Sequence, residues 1–238
     1  MQKNLNRLIN MFILRYRLLL LLIALLAMLI TFPIVHEQYS AYILILELFV
    51  TILLIMGIYV ISDNRSILTI AILMATLAFT IMWFNIILQS SNLLLFGLLL
   101  EIGFFLLTTY TIIRYVLTYK RVTADKIYGS ICGYLLIGII WAFIYTFIEN
   151  FIPGSFEFNV PIHADYSYLF SHRFYFGQFI YLSFVTISTL GYGDIIPIST
   201  PARVFASLEA VAGQLYVAIL IARLVGLHIS HAAWERRN

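Results

Sequence analysis

The chain of 238 residues is 63% apolar and only 11% charged, with a mean hydropathy of +0.99 and a formal net charge of +3. That profile excludes a water-soluble globular domain and is that of an integral membrane protein. Crossing about 30 Å of hydrocarbon takes roughly 20 helical residues. Apolar runs of that length recur at 14–32, 41–61, 67–88, 93–119, 127–148 and 201–227, which predicts six transmembrane helices. Closed barrels, the other spanning structure, need short alternating strands, so the expected fold class is all-α.

The first run follows Lys3, Arg7, Arg15 and Arg17, but its apolar core is too long for a secretory signal and no small-x-small cleavage site follows it. With the N-terminus inside and six spans, the cytoplasmic side receives ten Lys and Arg residues (Lys3, Arg7, Arg15, Arg17, Arg65, Lys120, Arg121, Lys126, Arg236, Arg237) and the outside two, Arg173 and Arg203. This asymmetry places both termini in the cytoplasm and explains the net charge without nucleic acid. Glu47 and Glu101, each alone in a helix, read as buried hydrogen-bonding partners between helices. The fourth helix holds one basic residue within its span, Arg114, about 9 Å along the axis from Lys120. A voltage sensor repeats arginine at every third position, so Arg114 reads as an interfacial anchor that snorkels to the inner headgroups. Cys132 lies within the fifth helix and reads as a buried thiol.

Between the fifth and sixth helices the chain runs from about 149 to 200 in two unlike pieces. The first, ENFIPGSFEFNVPIHADYSYLFSHR, is broken by Pro153, Gly154 and Pro161 and reads as an exposed segment; its Glu157, His163, Asp165 and His172 match no metal-ligand spacing. The second, FYFGQFIYLSFVTIS, is too short to span and suits a re-entrant half-helix. It runs into TLGYG, Thr189 to Gly193. Irregular backbone at membrane depth is tolerated only where protein buries it or a watery cavity borders it. Glycines at every second position permit left-handed dihedrals in alternation, which can turn successive carbonyls toward one side. Five extended residues make a column on the order of 12 to 15 Å long.

The run Thr186 to Asp194, TISTLGYGD, resembles the pore signature of potassium channels, T-x-x-T-V-G-Y-G-D, with Leu190 in place of the commoner valine. The resemblance covers about 174–226 and extends in general plan to bacterial six-span channels with one pore loop. It implies a voltage-gated-like channel architecture: a cytoplasmic N-terminus at 1–13, a four-helix peripheral domain at 14–119, a pore domain at 127–227 and a short cytoplasmic tail at 228–238. It also implies a homotetramer in the lipid of a bacterial inner membrane, with K+ as permeant ion and no cofactor. The carbonyls of Thr189, Leu190, Gly191 and Tyr192, with the Thr189 hydroxyl, would replace the water shell of K+; Gly193 completes the selectivity filter.

Around the filter, the Tyr192 ring is expected to pack on the half-helix near Tyr181, and Asp194 to add negative charge at the outer mouth. Glu209, a carboxylate in mid-helix, is expected behind the filter near Ser183 or Thr186. Gln214, Val217, Ile221 and Val225 recur at helical spacing and are expected to line the inner pore. Gly213 suits either a gating hinge, which the resemblance favours, or close packing with Ala206, Ala210 and Ala212. His228 and His231 read as interfacial anchors or partners of the C-terminal helix dipole rather than as sensors of cytoplasmic pH. Two other classes share parts of this pattern: a potassium transporter, which would repeat the pore unit, and a non-conducting membrane subunit, which has no use for an intact filter. No nucleophile, base and orienting group converge in sequence, so catalysis is not expected.

Overall fold

The computed structural model describes residues 16–31, 41–62, 65–118, 123–159 and 174–235. Their helices are α1 (Tyr16–Thr31), α2 (Ala41–Ile61), α3 (Arg65–Leu88), α4 (Ser91–Thr118), α5 (Ala124–Phe151), α6 (Phe174–Ile187) and α7 (Thr200–Glu235), with two short strands, β1 (Phe156–Phe158) and β2 (Ile195–Pro197). Among the described residues, α2, α3, α4, α5 and α7 are long and apolar enough to cross a membrane. The protein is therefore an all-α membrane protein. Helix α1 is the described part of the first expected span, and that span's ends lie outside the described residues.

Small residues set the helix spacing. On α3 the buried face is Ala71, Ala75, Ala78 and Met82, at alternating steps of four and three, while Leu73, Leu77, Phe84 and Ile87 face outward. Such a stripe lets backbones approach closely where lipid supplies no hydrophobic drive. Helices α3 and α4 are joined by Gln89 and Ser90, and the Asn85 side chain accepts the Ser90 N–H at 3.0 Å. Gly57 of α2 stands where a Cβ would come within 2.7 Å of the Phe104 ring of α4. Helix α5 is the centre of the molecule, packing on α4, α6 and α7. Its Cys132 thiol is buried and donates to the Leu18 carbonyl of α1 at 3.3 Å.

Glu47 on α2 and Glu101 on α4 are each 1% exposed. Both line a cavity of about 20 Å³, closed by Thr146 of α5 and Phe176 of α6, enough for one water molecule. Their burial between helices agrees with the expectation. Arg114, by contrast, is exposed near the end of α4, and the buried face of α4 carries no basic residue.

The segment after α5 corrects the sequence reading. Pro153 and Gly154 do form an exposed turn, with φ +80 at Gly154. Ser155 and Phe156, however, return to the core: Ser155 is fully buried and Phe156 is 5% exposed. The Phe156 ring packs on Tyr145 and Phe179 at 5.3 and 4.7 Å. The Glu149 carboxylate accepts the N–H groups of Gly154 and Phe156 at 2.9 and 3.1 Å, closing the turn. Glu157 is exposed; His163, Asp165 and His172 lie outside the described residues.

Helix α7 runs unbroken for 36 residues. At Gly213 a Cβ would lie 2.4 Å from the Ile187 side chain and 2.7 Å from the Ile187 carbonyl oxygen. Close packing of α7 on the end of α6 is thus a role this glycine fills. Because backbone is the obstacle, Gly213→Ala should lower the thermal stability of the purified protein by about 1–3 kcal/mol. An unchanged melting midpoint would show that the contact is looser than this.

Candidate functional site

The half-helix α6 ends in a way its sequence does not advertise. The Thr189 N–H bonds the Thr186 carbonyl at 2.9 Å and the Leu190 N–H bonds the Val185 carbonyl at 2.9 Å. These are the two bonds of a Schellman cap, whose first residue beyond the cap takes a left-handed conformation. Here that residue is Thr189, with φ +61. Glycine normally fills the position, because a β-branched residue in that region is strained by roughly 1–2 kcal/mol. The Gly191 N–H adds a third bond, to the Val185 carbonyl at 3.3 Å.

Beyond the cap the left-handed conformation recurs at every second residue, with φ +57 at Gly191 and +77 at Gly193, while Leu190 and Tyr192 stay outside it. The N–H groups of 189–191 are thereby turned back onto α6. Among the described residues, no donor reaches the carbonyls of Thr189, Leu190, Gly191, Tyr192 or Gly193. All five residues are exposed in the single chain, with Leu190 at 59% and Tyr192 at 68%. The Thr189 hydroxyl donates to the Ser188 carbonyl at 2.7 Å.

The C-terminal end of this run is anchored through its backbone and through Asp194. The Tyr181 hydroxyl of α6 donates to Asp194 Oδ2 at 2.5 Å, and the Ile195 N–H donates to Oδ1 at 3.1 Å. The bond to Asp194 raises the Tyr181 phenol to about 12, so it remains a donor at neutral pH. The Asp194 carbonyl accepts the Asn159 N–H at 2.8 Å. From there β2 pairs antiparallel with β1, placing Ile195 opposite Phe158 and Pro197 opposite Phe156. Tyr181 therefore faces the Asp194 carboxylate. The Tyr192 ring, expected to be packed on the half-helix, is largely uncovered in one chain.

Behind the run, Glu209 of α7 is fully buried. Its Oε1 lies 2.5 Å from the Ser183 hydroxyl of α6, and its Oε2 accepts from the Tyr145 hydroxyl of α5. Ser183 also lies 2.7 Å from the Gly138 carbonyl of α5. The pairing with Ser183 matches the expectation, whereas Thr186 makes no bond to Glu209 and instead offers its carbonyl to Thr189. Tyr145 was missed because it lies 64 positions away on another helix, and a tyrosine among apolar residues gives no signal of its partner.

Helix α7 is the least covered of the long helices, with 11% of its apolar window buried. Gln214, Val217 and Ile221 are all exposed in the single chain; the Val225 side chain and the side chains of His228 and His231 lie outside the described residues. Leu208, Val211, Leu215 and Ile219 are also exposed, so several faces of α7 lack neighbours within one chain.

Because a Cβ on Gly191 would meet nothing within 4 Å, Gly191→Ala should act through its dihedral alone and cost about 1–2 kcal/mol of stability. Thermal unfolding of the purified protein measures this, and a neutral substitution would show that the residue is not held left-handed.

Residues 133–228 match the family model described as Ion channel. The match runs from within α5 through α6 and the 189–193 run to α7, and α1 to α4 lie outside it. This part of the chain is similar to ion-channel domains. No curated protein and no solved structure matches the chain.

Proposed function

We propose that the chain is one subunit of a homotetrameric potassium-selective channel, with residues 189–193 as its filter. The observation that carries this reading is the division of backbone polarity there: N–H groups are tied back to α6 while the carbonyls have no donor among the described residues. In lipid such carbonyls would be prohibitively unsatisfied. A dehydrated cation satisfies them. Carbonyls of Thr189, Leu190, Gly191 and Tyr192, with the Thr189 hydroxyl at the inner end, replace the water shell of K+, whereas smaller and more tightly hydrated Na+ is compensated less well.

One chain supplies one wall, and a ring of four encloses the ion. The uncovered faces of α7 and the exposed filter are where neighbouring copies would pack. In that ring the C-terminal end of each α6, worth about half a negative charge, points toward the cavity below the filter and steadies a cation there. Asp194 contributes charge at the outer mouth. Gln214, Val217, Ile221 and Val225 would line the inner cavity, with both termini in the cytoplasm of a bacterial cell.

Passive conduction in this reading depends little on voltage. Steep dependence requires three or four charges per subunit to move through the field. Helix α4 offers only Arg114, already exposed near its end.

Purified protein in liposomes under K+ and Na+ gradients tests the reading. The reversal potential should follow K+ and ignore Na+, the conductance should vary gently with voltage, and Gly191→Ala should abolish the selective current. Gly154→Ala, at another open glycine with φ +80 far along the chain from the filter, should carry a comparable dihedral cost and leave selectivity intact. Equal permeability to K+ and Na+ in the unmodified protein would overturn the assignment.

A further inference from the structure

Glu209 lies in mid-span on α7, fully buried, and among the described residues no charged side chain is one of its partners. From α5 it meets the Tyr145 hydroxyl, and from α6 it meets Ser183. An ionised carboxylate in this position would have hydrogen bonds but no counter-charge in a low-dielectric interior.

Counting hydrogens decides its state. A serine hydroxyl carries one hydrogen and a backbone carbonyl carries none. Ser183 Oγ lies 2.7 Å from the Gly138 oxygen and 2.5 Å from Glu209 Oε1. At such distances each pair of oxygens needs a hydrogen between them. The Tyr145 hydrogen is already committed to Oε2. If Glu209 is a carboxylate, two short contacts share the single Ser183 hydrogen and one is left with lone pairs facing each other. A hydrogen on Oε1 fills both.

We propose that Glu209 is a neutral carboxylic acid that donates through Oε1 to Ser183, that Ser183 passes its own hydrogen to the Gly138 carbonyl, and that this chain of bonds positions the filter. It ties α5, α6 and α7 together about a turn and a half before Thr189 on α6. It is a positioning device and does not touch the ion. Only its effect on conduction rests on the filter reading; the proton on Glu209 does not.

The test has two arms on the full-length protein. Infrared spectra of wild type and Glu209→Gln in lipid should differ at neutral pH by a protonated-carboxyl C=O stretch, present in wild type and lost in the variant. That arm is decided even if the protein conducts no K+. In liposomes, Glu209→Gln should retain K+ flux within about twofold, because a carboxamide accepts from Tyr145 and donates to Ser183 as the neutral acid does. Glu209→Ala strands both hydroxyls and should lower flux at least about tenfold. Absence of the infrared band overturns the proposal. So does a Glu209→Gln protein that fails to assemble or conducts as poorly as Glu209→Ala, since an ionised acceptor would then be what Ser183 requires. Glu209→Ala conducting like wild type would overturn the positioning role.

Discussion

Backbone polar groups withdrawn from water must find partners, and between Thr189 and Gly193 the described residues provide them for some of the N–H groups but not for the carbonyls. The rest of this region follows from that asymmetry. The Schellman cap at the end of α6 takes up the N–H groups of Thr189 and Leu190, which forces Thr189 into a left-handed conformation that suits glycine better. Once that residue is left-handed, Gly191 and Gly193 continue the alternation without steric cost. A strained threonine is thus the junction between a helix that packs and a segment that can coordinate. Strain of this kind persists only where the surroundings over-determine it.

Those surroundings are supplied from two sides. At the C-terminal end of the run, Asp194 is held by Tyr181 and by its own backbone neighbour, and the β1–β2 pair fastens the exit of the run to the end of α5. Behind the run, Glu209, Ser183, Tyr145 and the Gly138 carbonyl join three helices in one buried polar chain. Glycines make the close approaches possible: a Cβ at Gly138 would press on the Phe184 ring at 2.9 Å, and one at Gly133 would lie 2.6 Å from the Tyr216 hydroxyl. Helix α5 serves both sides at once. It carries the partners of α6 and α7 and also buries its other face against α4, so α4 and the α6–α7 region share one core.

Hydropathy made the spanning helices legible, because a lipid-facing helix needs little beyond length and apolar content. The run 41–61 coincides with α2, and the half-helix read at 174–188 is α6, Phe174–Ile187. The glycine spacing announced the left-handed positions at 191 and 193 but not the one at Thr189, since a cap formed by backbone bonds leaves no mark on side-chain identity. Burial of Glu209 beside Ser183 followed from the cost of a mid-span carboxylate. Its bond to Tyr145 did not, because that contact depends on how α5 and α7 cross. The strand at Phe156–Phe158 was hidden by its setting: three residues between a proline-glycine turn and a polar stretch have too short a pattern to separate from a loop, and only the pairing with Ile195–Pro197 makes them a strand.

The central claim is that backbone carbonyls of residues 189–192 coordinate a cation on the axis of a four-fold assembly. Structure determination of the purified protein in lipid with Tl+ replacing K+ addresses it most directly, since a heavy monovalent ion reports its own position by anomalous scattering. The account calls for four subunits around one axis, with a single file of Tl+ peaks at the levels of the Thr189 to Tyr192 carbonyls. A closed assembly whose axis lacks those peaks, or in which these carbonyls face protein donors from the neighbouring subunit, would contradict it.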